Sequence, residues 1–388
     1  MKKSYIASHI SSLPKSGIRD FFELVNTMED VISLGIGEPD FVTPWTIRES
    51  AIYSYEKGNT HYTSNLGTIQ LRKEICKYVK SMYDIEYSPD SECIVTVGVS
   101  EALDLAIRAL ISPGDEVIYH EPCYVSYAPE VRMAHGVPKA VPTYAKNNFA
   151  LDPLDLENAV TDKTKVILLN FPCNPTGAVL SYEQTEKIAE IAVTHDLIVI
   201  TDQIYSELTY ENMTPSIAAF PGMKERTLFL NGFSKGFAMT GFRVGYACGP
   251  CEIIDAMMKI HQYSIMCVSI NAQHAACEAL KNAKQDMLMM KNEYCRRRNV
   301  IVNAFNNMGL PCLMPCGAFY AFPDITSTGL SSMEFAKQLL MTKKVAVVPG
   351  TAFGECGEGF IRCSYATSME GIRTAMEKIR EFLKELGH

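Results

Sequence analysis

The run Gly232-Phe233-Ser234-Lys235-Gly236-Phe237-Ala238-Met239-Thr240-Gly241-Phe242-Arg243-Val244-Gly245 sets one lysine among uncharged, mostly small or apolar residues, with a single arginine further on. The apolar stretch 227–231 leads into it and reads as a buried strand. A lone lysine just past such a strand is either a solvated loop residue or a reactive amine. Small neighbours and apolar flanks favour the amine, because desolvation disfavours the ammonium form and frees the nitrogen as a nucleophile.

Outward from this stretch the chain alternates helices and short apolar runs. Strands are expected at 93–97, 116–119, 165–169, 197–201, 227–230 and 243–247, with helices at 46–57, 68–83, 100–111 and 181–195. Amphipathic segments between apolar strands imply a mostly parallel central sheet covered by helices on both faces. Residues 250–308 read as two helices, the second bridging toward another region. Strands at 318–322, 345–348 and 360–364, with helices at 332–341 and 368–386, then form a smaller α/β unit. The expected division is an N-terminal arm at 1–45 packing with the small domain, a large domain at 46–290 and the small C-terminal domain at 291–388. A short helix is expected from Ser16 to Met28 within the arm.

In an open parallel sheet, ligands bind beyond the carboxyl ends of the strands. The residues just past each strand are therefore informative. Strand 93–97 runs into Gly98-Val99-Ser100, a glycine turn opening a helix; 116–119 leads to Tyr124; 165–169 to Asn174-Pro175-Thr176-Gly177; 197–201 to Asp202 and Tyr205; 227–230 to Ser234 and Lys235. Singly these are a turn, a helix cap and a packing aromatic. Together they suit a phosphorylated heteroaromatic aldehyde. The helix N-terminus at Val99-Ser100 and Arg243 would take a phosphate dianion. Tyr124 would stack on a planar ring, and a buried Asp202 would keep a ring nitrogen protonated. Asn174 and Tyr205 would hydrogen-bond a phenolate oxygen, and Lys235 would close a Schiff base with the aldehyde. That ligand is pyridoxal 5'-phosphate.

Composition narrows the alternatives. The 388 residues are 47% apolar and 21% charged with a net charge of −8, which offers no basic footprint for nucleic acid or an acidic membrane. Arg296-Arg297-Arg298 reads as a solvated or salt-bridged helix face. Thirteen scattered cysteines, an odd number, suit reduced thiols, and no secretory or membrane-spanning run is found, so a cytoplasmic location is expected. Cys248-Gly249-Pro250-Cys251 has redox spacing but comes after a strand and reads as a turn; no metal-ligand spacing repeats. Gly35-Ile36-Gly37 lacks the third glycine of a dinucleotide fingerprint, and Pro39 blocks an immediate helix.

The chain resembles the fold-type I, class I/II pyridoxal-phosphate aminotransferases from Leu34-Gly35-Ile36-Gly37-Glu38-Pro39-Asp40-Phe41 to Phe360-Ile361-Arg362-Cys363-Ser364. The attachment-site signature matches through 232–245, with Asn174-Pro175-Thr176-Gly177 and Asp202-x-x-Tyr205 in the expected order. The resemblance implies that Lys235 is the cofactor-binding lysine and proton shuttle. Asp202 would pair with the pyridine nitrogen, Tyr205 and Asn174 would flank the ring oxygen, and Tyr124 would stack. It further implies that Val99, Ser100, Ser234 and Arg243 hold the phosphate. Arg362 would grip the substrate carboxylate, with Asn174 and the backbone of Gly37. Tyr62 matches the position that reaches the neighbouring subunit's phosphate, implying a homodimer with shared active sites. Gly232 departs from the pattern, since many members carry a phosphate-contacting serine there. A cis peptide before Pro122 or Pro175 is also implied. Ser16-Gly17-Ile18-Arg19, Gly317-Ala318-Phe319-Tyr320 and His261-Gln262-Tyr263 look most like bacterial subgroup I-gamma, which includes aromatic, aspartate and N-acetyl-diaminopimelate aminotransferases.

The expected activity is transfer of an amino group between an amino acid and a 2-oxo acid in two half-reactions. No second arginine is evident for a distal carboxylate, and Ile18, Tyr62 and Tyr263 would line an apolar pocket, which points to aromatic or long-chain donors. A carbon–sulfur β-lyase would need the same cofactor set. A non-catalytic cofactor-binding regulator would need a DNA-binding module for which the arm leaves no room.

Overall fold

The computed structural model describes residues 5–11, 13, 28–211 and 215–387. The expected helix from Ser16 and the pocket role of Ile18 lie outside the described residues, while Met28 itself is not helical.

Twelve strands are described: β1 Ile32–Ser33, β2 Cys93–Thr96, β3 Glu116–Glu121, β4 Val137–Pro142, β5 Thr164–Asn170, β6 Ile198–Asp202, β7 Thr227–Gly232, β8 Gly245–Cys248, β9 Tyr320–Ala321, β10 Val345–Ala346, β11 Val348–Pro349 and β12 Ile361–Ser364. Seven of them form one sheet in the order β2-β8-β7-β6-β5-β3-β4. β3 through β7 pair in parallel, and β8 runs antiparallel to both β7 and β2. β5, β6 and β7 are central and almost wholly buried, which is why they read as continuous apolar runs rather than alternating ones. Their parallel alignment brings Asn170 beside Asp202 in register, so the functional residues past each strand emerge along one edge.

Helices Ile69–Tyr83, Gly98–Leu110, Tyr182–Thr194, Cys251–Ser264 and Ile270–Asn282 surround this sheet. Three cores back it, one of them joining Ile75, Val79, Phe229, Phe233 and Tyr246. A fourth core joins Tyr294, Phe305, Phe319, Phe335, Ile361 and Phe382 with Leu34. Within it β1 pairs in parallel with β10, and β12 lies between β11 and β9. The stretch 250–308 holds three helices where two are expected, Lys284–Asn307 being separate and crossing position 290. The arginine cluster is salt-bridged, as one of the two expected readings has it: Arg296 pairs with Glu293 at 2.7 Å, Arg297 with Asp40 at 2.8 Å and Arg298 with Glu211 at 3.0 Å, and Arg297 and Arg298 are buried. Pro250 precedes the Cys251–Ser264 helix, leaving Cys248 buried and Cys251 exposed. Among the described residues, no helix is long and apolar enough to cross a membrane.

Candidate active site

A cavity of about 640 Å³ opens at the carboxyl ends of β5, β6 and β7. Asn170 ends β5; its amide donates to the Asp202 carbonyl at 3.0 Å, and its side-chain oxygen accepts from the Asn174 N–H at 3.2 Å. Peptides Glu121-Pro122, Phe171-Pro172 and Asn174-Pro175 are cis. Asp202 ends β6. One carboxylate oxygen accepts from the Tyr127 hydroxyl at 2.9 Å and the other from the Ile204 N–H at 3.1 Å. Burial pushes this carboxyl up to about 6 despite those donors and Lys235. Three residues beyond β7, Lys235 donates to the Gly37 carbonyl at 2.6 Å and lies 5.9 Å from the centre of the Tyr205 ring. Burial draws its amine down to about 8, helped by Arg362 and Arg243 and opposed by Glu38 and Asp202.

One end of the cavity suits an anion. Gly98 adopts φ +74 to open the Gly98–Leu110 helix, and its missing side chain is filled by Arg243: a Cβ there would lie 2.6 Å from Nη2. Arg243 itself holds φ +52, a conformation that costs energy in a non-glycine residue. A Cβ on Gly245 would lie 2.6 Å from the Val99 nitrogen. Backbone N–H groups of a helix start, the Ser100 and Ser234 side chains and a guanidinium thus face one volume.

The other end is built on Arg362 of β12. Its Nη1 donates to Asn174 Oδ1 at 2.9 Å and its Nη2 to the Gly35 carbonyl at 2.7 Å. The guanidinium sits between the rings of Tyr320, 4.4 Å away, and Phe353, 4.7 Å away. Its Nε is buried without a partner, and only two of the five guanidinium N–H donors are engaged, by Asn174 and Gly35, which leaves Nη1 and Nη2 a further N–H each for an incoming acceptor. Tyr320 also hydrogen-bonds Tyr205, hydroxyl to hydroxyl, at 2.8 Å, and a Cβ on Gly37 would strike that Tyr320 oxygen.

Residues 29–379 match the family model described as aminotransferase class I and II. The chain belongs to the class I and II aminotransferases. The Bacillus subtilis protein YugH is 54% identical over 380 residues, covering 98% of each chain. An aspartate aminotransferase of Pyrococcus abyssi is 46% identical over 95% of this chain and 96% of its own. The crystal structure of an aromatic aminotransferase from Pyrococcus horikoshii OT3 superposes with a TM-score of 0.90 at 45% identity, covering 95% of this chain and 99% of that one.

The aminotransferase uses pyridoxal phosphate and acts on amino acid and 2-oxo acid substrates. Its cavity fits that cofactor. A buried carboxyl pushed up to about 6 suits a ring N–H, an amine drawn down to about 8 lines the same cavity, and an anion cradle lies alongside. Gly37, Val99, Ser100, Tyr124, Asn174, Asp202, Tyr205, Ser234, Lys235, Arg243 and Arg362 all line the cavity. Tyr62 and Tyr263 do not: they are 81% and 88% exposed, and within one chain neither reaches it. The apolar walls instead include Ile36, Leu103, Val125, Val348 and Phe353.

Sequence reasoning missed Tyr127, Glu38 and Thr240, and it gave Tyr320 no site role. Tyr127 is three residues beyond Tyr124, the spacing of one helical turn, and that was the available signal. The Thr240 hydroxyl donates to Glu38, a contact across 202 positions that no local pattern announces.

Proposed function

We propose that Lys235 is the amine that holds the cofactor and carries the proton in each half-reaction. Supporting this above all is the placement of the amine: Lys235 lines the cavity just beyond β7, donates to the Gly37 carbonyl at 2.6 Å beside the Tyr205 ring, and shares the cavity with Asp202 at the end of the adjacent parallel strand, while burial draws it down to about 8. Asp202 would accept from the ring N–H and keep that nitrogen protonated, with Tyr127 and the Ile204 N–H fixing the carboxylate's orientation. Tyr124 would cover the ring face, Tyr205 and Asn174 would donate to the ring oxygen, and Val99, Ser100, Ser234 and Arg243 would hold the phosphate. When bound, pyridoxal phosphate supplies the aldehyde that condenses with amines and the electron sink that acidifies Cα. Arg362 reads the substrate carboxylate with Asn174 and the Gly37 backbone, which sets Cα within reach of Lys235 Nζ. Lys235 then takes the Cα proton as a neutral amine and returns it as an ammonium.

The arm, large and small units divide near 45 and 290, and the enzyme works in the cytoplasm as a homodimer whose Tyr62 serves the partner's phosphate site. Its exposure on a loop supports that last role. Light scattering at micromolar concentration should give a dimer; a monomer with full activity counts against it.

The donor is aromatic or long-chain. The cavity is lined by two arginines, Arg243 at the anion cradle and Arg362 at the carboxylate end, and its remaining walls are mainly apolar and aromatic. A panel of amino donors against 2-oxoglutarate, monitored by cofactor absorbance in each half-reaction, should rank tyrosine or phenylalanine above aspartate. A strict preference for aspartate overturns this assignment. Arg362→Ala should raise KM for donor and acceptor alike while leaving cofactor content intact.

A further inference from the structure

Behind the Lys235 loop, on the side away from the cavity, lies a second buried carboxyl. Glu207 stands two residues after Tyr205 in the short 3-10 turn Ser206–Leu208 and is 5% exposed. One oxygen accepts three hydrogen bonds: from the Tyr78 hydroxyl at 3.0 Å, the Tyr83 hydroxyl at 3.2 Å and the Asn231 amide at 3.1 Å. Its other oxygen is buried with no partner.

We propose that Glu207 is a positioning residue for Lys235, tying the Ile69–Tyr83 helix and the end of β7 to the backbone on which the lysine is mounted. Three contacts support this. The Asn231 amide that donates to Glu207 belongs to a side chain whose oxygen accepts from the Gly232 N–H at 2.7 Å, so the carboxyl fixes the exit of β7. Gly236, directly after Lys235, packs on the Glu207 stem: a Cβ there would lie 3.0 Å from the Glu207 Cβ and 3.6 Å from its unpartnered oxygen. On the near side, the Tyr205 ring centre lies 5.9 Å from the lysine nitrogen. Glu207 therefore touches the lysine loop before and after Lys235, and its own chain carries the ring beside Nζ.

A carboxylate suits this better than a neutral acceptor, because three donors converge on one oxygen and charge strengthens each bond. Burial pushes the Glu207 carboxyl up, and the Tyr78, Asn231 and Tyr83 donors oppose that. The groups that feel its charge are Tyr78 and Tyr83, Tyr246 of β8 and Lys291 of the Lys284–Asn307 helix. Neither Arg362 nor Asp202 makes a hydrogen bond to it, so its effect reaches the cavity through the loop.

The inference rests on Lys235 being the cofactor-binding amine. Mass spectrometry after borohydride reduction of the holoenzyme, with the cofactor found on the Lys235 peptide, tests that separately. The Glu207 test uses holoenzyme of wild type, Glu207→Gln and Glu207→Ala. It reads the pH midpoint of the bound cofactor's absorbance, the rate of cofactor loss, and kcat and KM for one donor. Misplacing a reacting group by about 1 Å costs on the order of 10²-fold in rate. For Glu207→Ala we expect kcat to fall by about ten- to a hundredfold with KM within about threefold, a displaced absorbance midpoint and faster cofactor loss. Glu207→Gln, which keeps an acceptor oxygen but not its charge, should recover only part of the loss. A lower melting temperature with unchanged kcat and midpoint overturns the proposal. Should Glu207→Ala fail to fold, Tyr83→Phe removes one donor and should move the same midpoint less far; an unmoved midpoint there overturns it too.

Discussion

Two sets of buried titratable groups stand on or just beyond the ends of β3, β6 and β7, and their surroundings differ. Asp202 and Lys235 open onto the cavity, whereas His120 and Glu207 are sealed behind it. Burial perturbs all four in the direction expected of desolvation: the two carboxyls upward, the amine and imidazole downward. What separates them is whether anything can relieve the perturbation. A bound cofactor can place a ring cation against Asp202 and take up the Lys235 amine. Nothing can reach His120, which stacks on Phe171 at 4.5 Å between centroids and accepts the Asn170 N–H at 3.3 Å. The same physical penalty is thus chemical potential on the open side and structural cost on the sealed side.

Removing the open amine should have the largest effect. Lys235→Ala should lower turnover by at least about 10⁴-fold, since it deletes both the covalent anchor and the proton carrier. In cofactor-free wild type, labelling of Lys235 by an amine-directed reagent should rise with pH around 8, not around the ordinary lysine value of 10.5. Labelling that stays low until pH 10 would show that the loop does not desolvate the amine.

Asp202→Asn comes next. Losing the partner of a developing charge costs on the order of 10²–10³ in kcat, and cofactor absorbance should report a neutral ring. In the cofactor-free protein, the native carboxyl at about 6 binds a proton that the unfolded chain has released above 3.8. Stability from this group is therefore lost as pH rises from 4 to 6, by up to about 3 kcal/mol. Asp202→Asn should remove that slope in urea titrations, and cofactor should remove it in wild type. An identical slope in all three samples breaks the distinction between open and sealed groups.

His120 should behave in the opposite sense. Its native value is drawn down to about 4, so between 6.5 and 4 the unfolded chain binds more protons and stability falls as pH falls, by about 3 kcal/mol. This loss should be the same with and without cofactor. His120→Asn, which keeps an acceptor for the Asn170 N–H, should flatten it. A cofactor-dependent slope would mean that the imidazole communicates with the cavity after all.

The open side was also the legible side. Asn174, Asp202, Tyr205 and Lys235 each come after an apolar run that is unmistakably a strand, so alignment of parallel strands alone gathers them. Tyr127 and Glu38 escaped because their partners, Asp202 and Thr240, are 75 and 202 positions away. β4 escaped for a local reason: Pro138 and Pro142 argue against a central strand, and indeed it is an edge strand, where a missing N–H is tolerated. Neither break among the three helices of 250–308, at 265–269 or at Ala283, carries a proline or glycine, so the stretch reads as two helices rather than three.

The smallest effect tests the departure at Gly232. The lack of a serine here looks like a missing phosphate contact, yet the packing gives the glycine a reason of its own. A Cβ at this position would lie 3.0 Å from both the Gly245 Cα and the Val99 Cγ2, and 3.1 Å from the Val244 carbonyl. Two of those neighbours are backbone of the β8 region and cannot yield as a side chain end can. Gly232→Ser should therefore cost about 1 kcal/mol through overpacking, seen as a melting temperature lower by a few degrees. It should not slow cofactor loss, because the hydroxyl gains a phosphate contact only by displacing the strand beside Arg243. Slower cofactor loss with an unchanged melting temperature would show instead that β7 and β8 can part slightly, and that the glycine reflects tuning of cofactor grip rather than close packing.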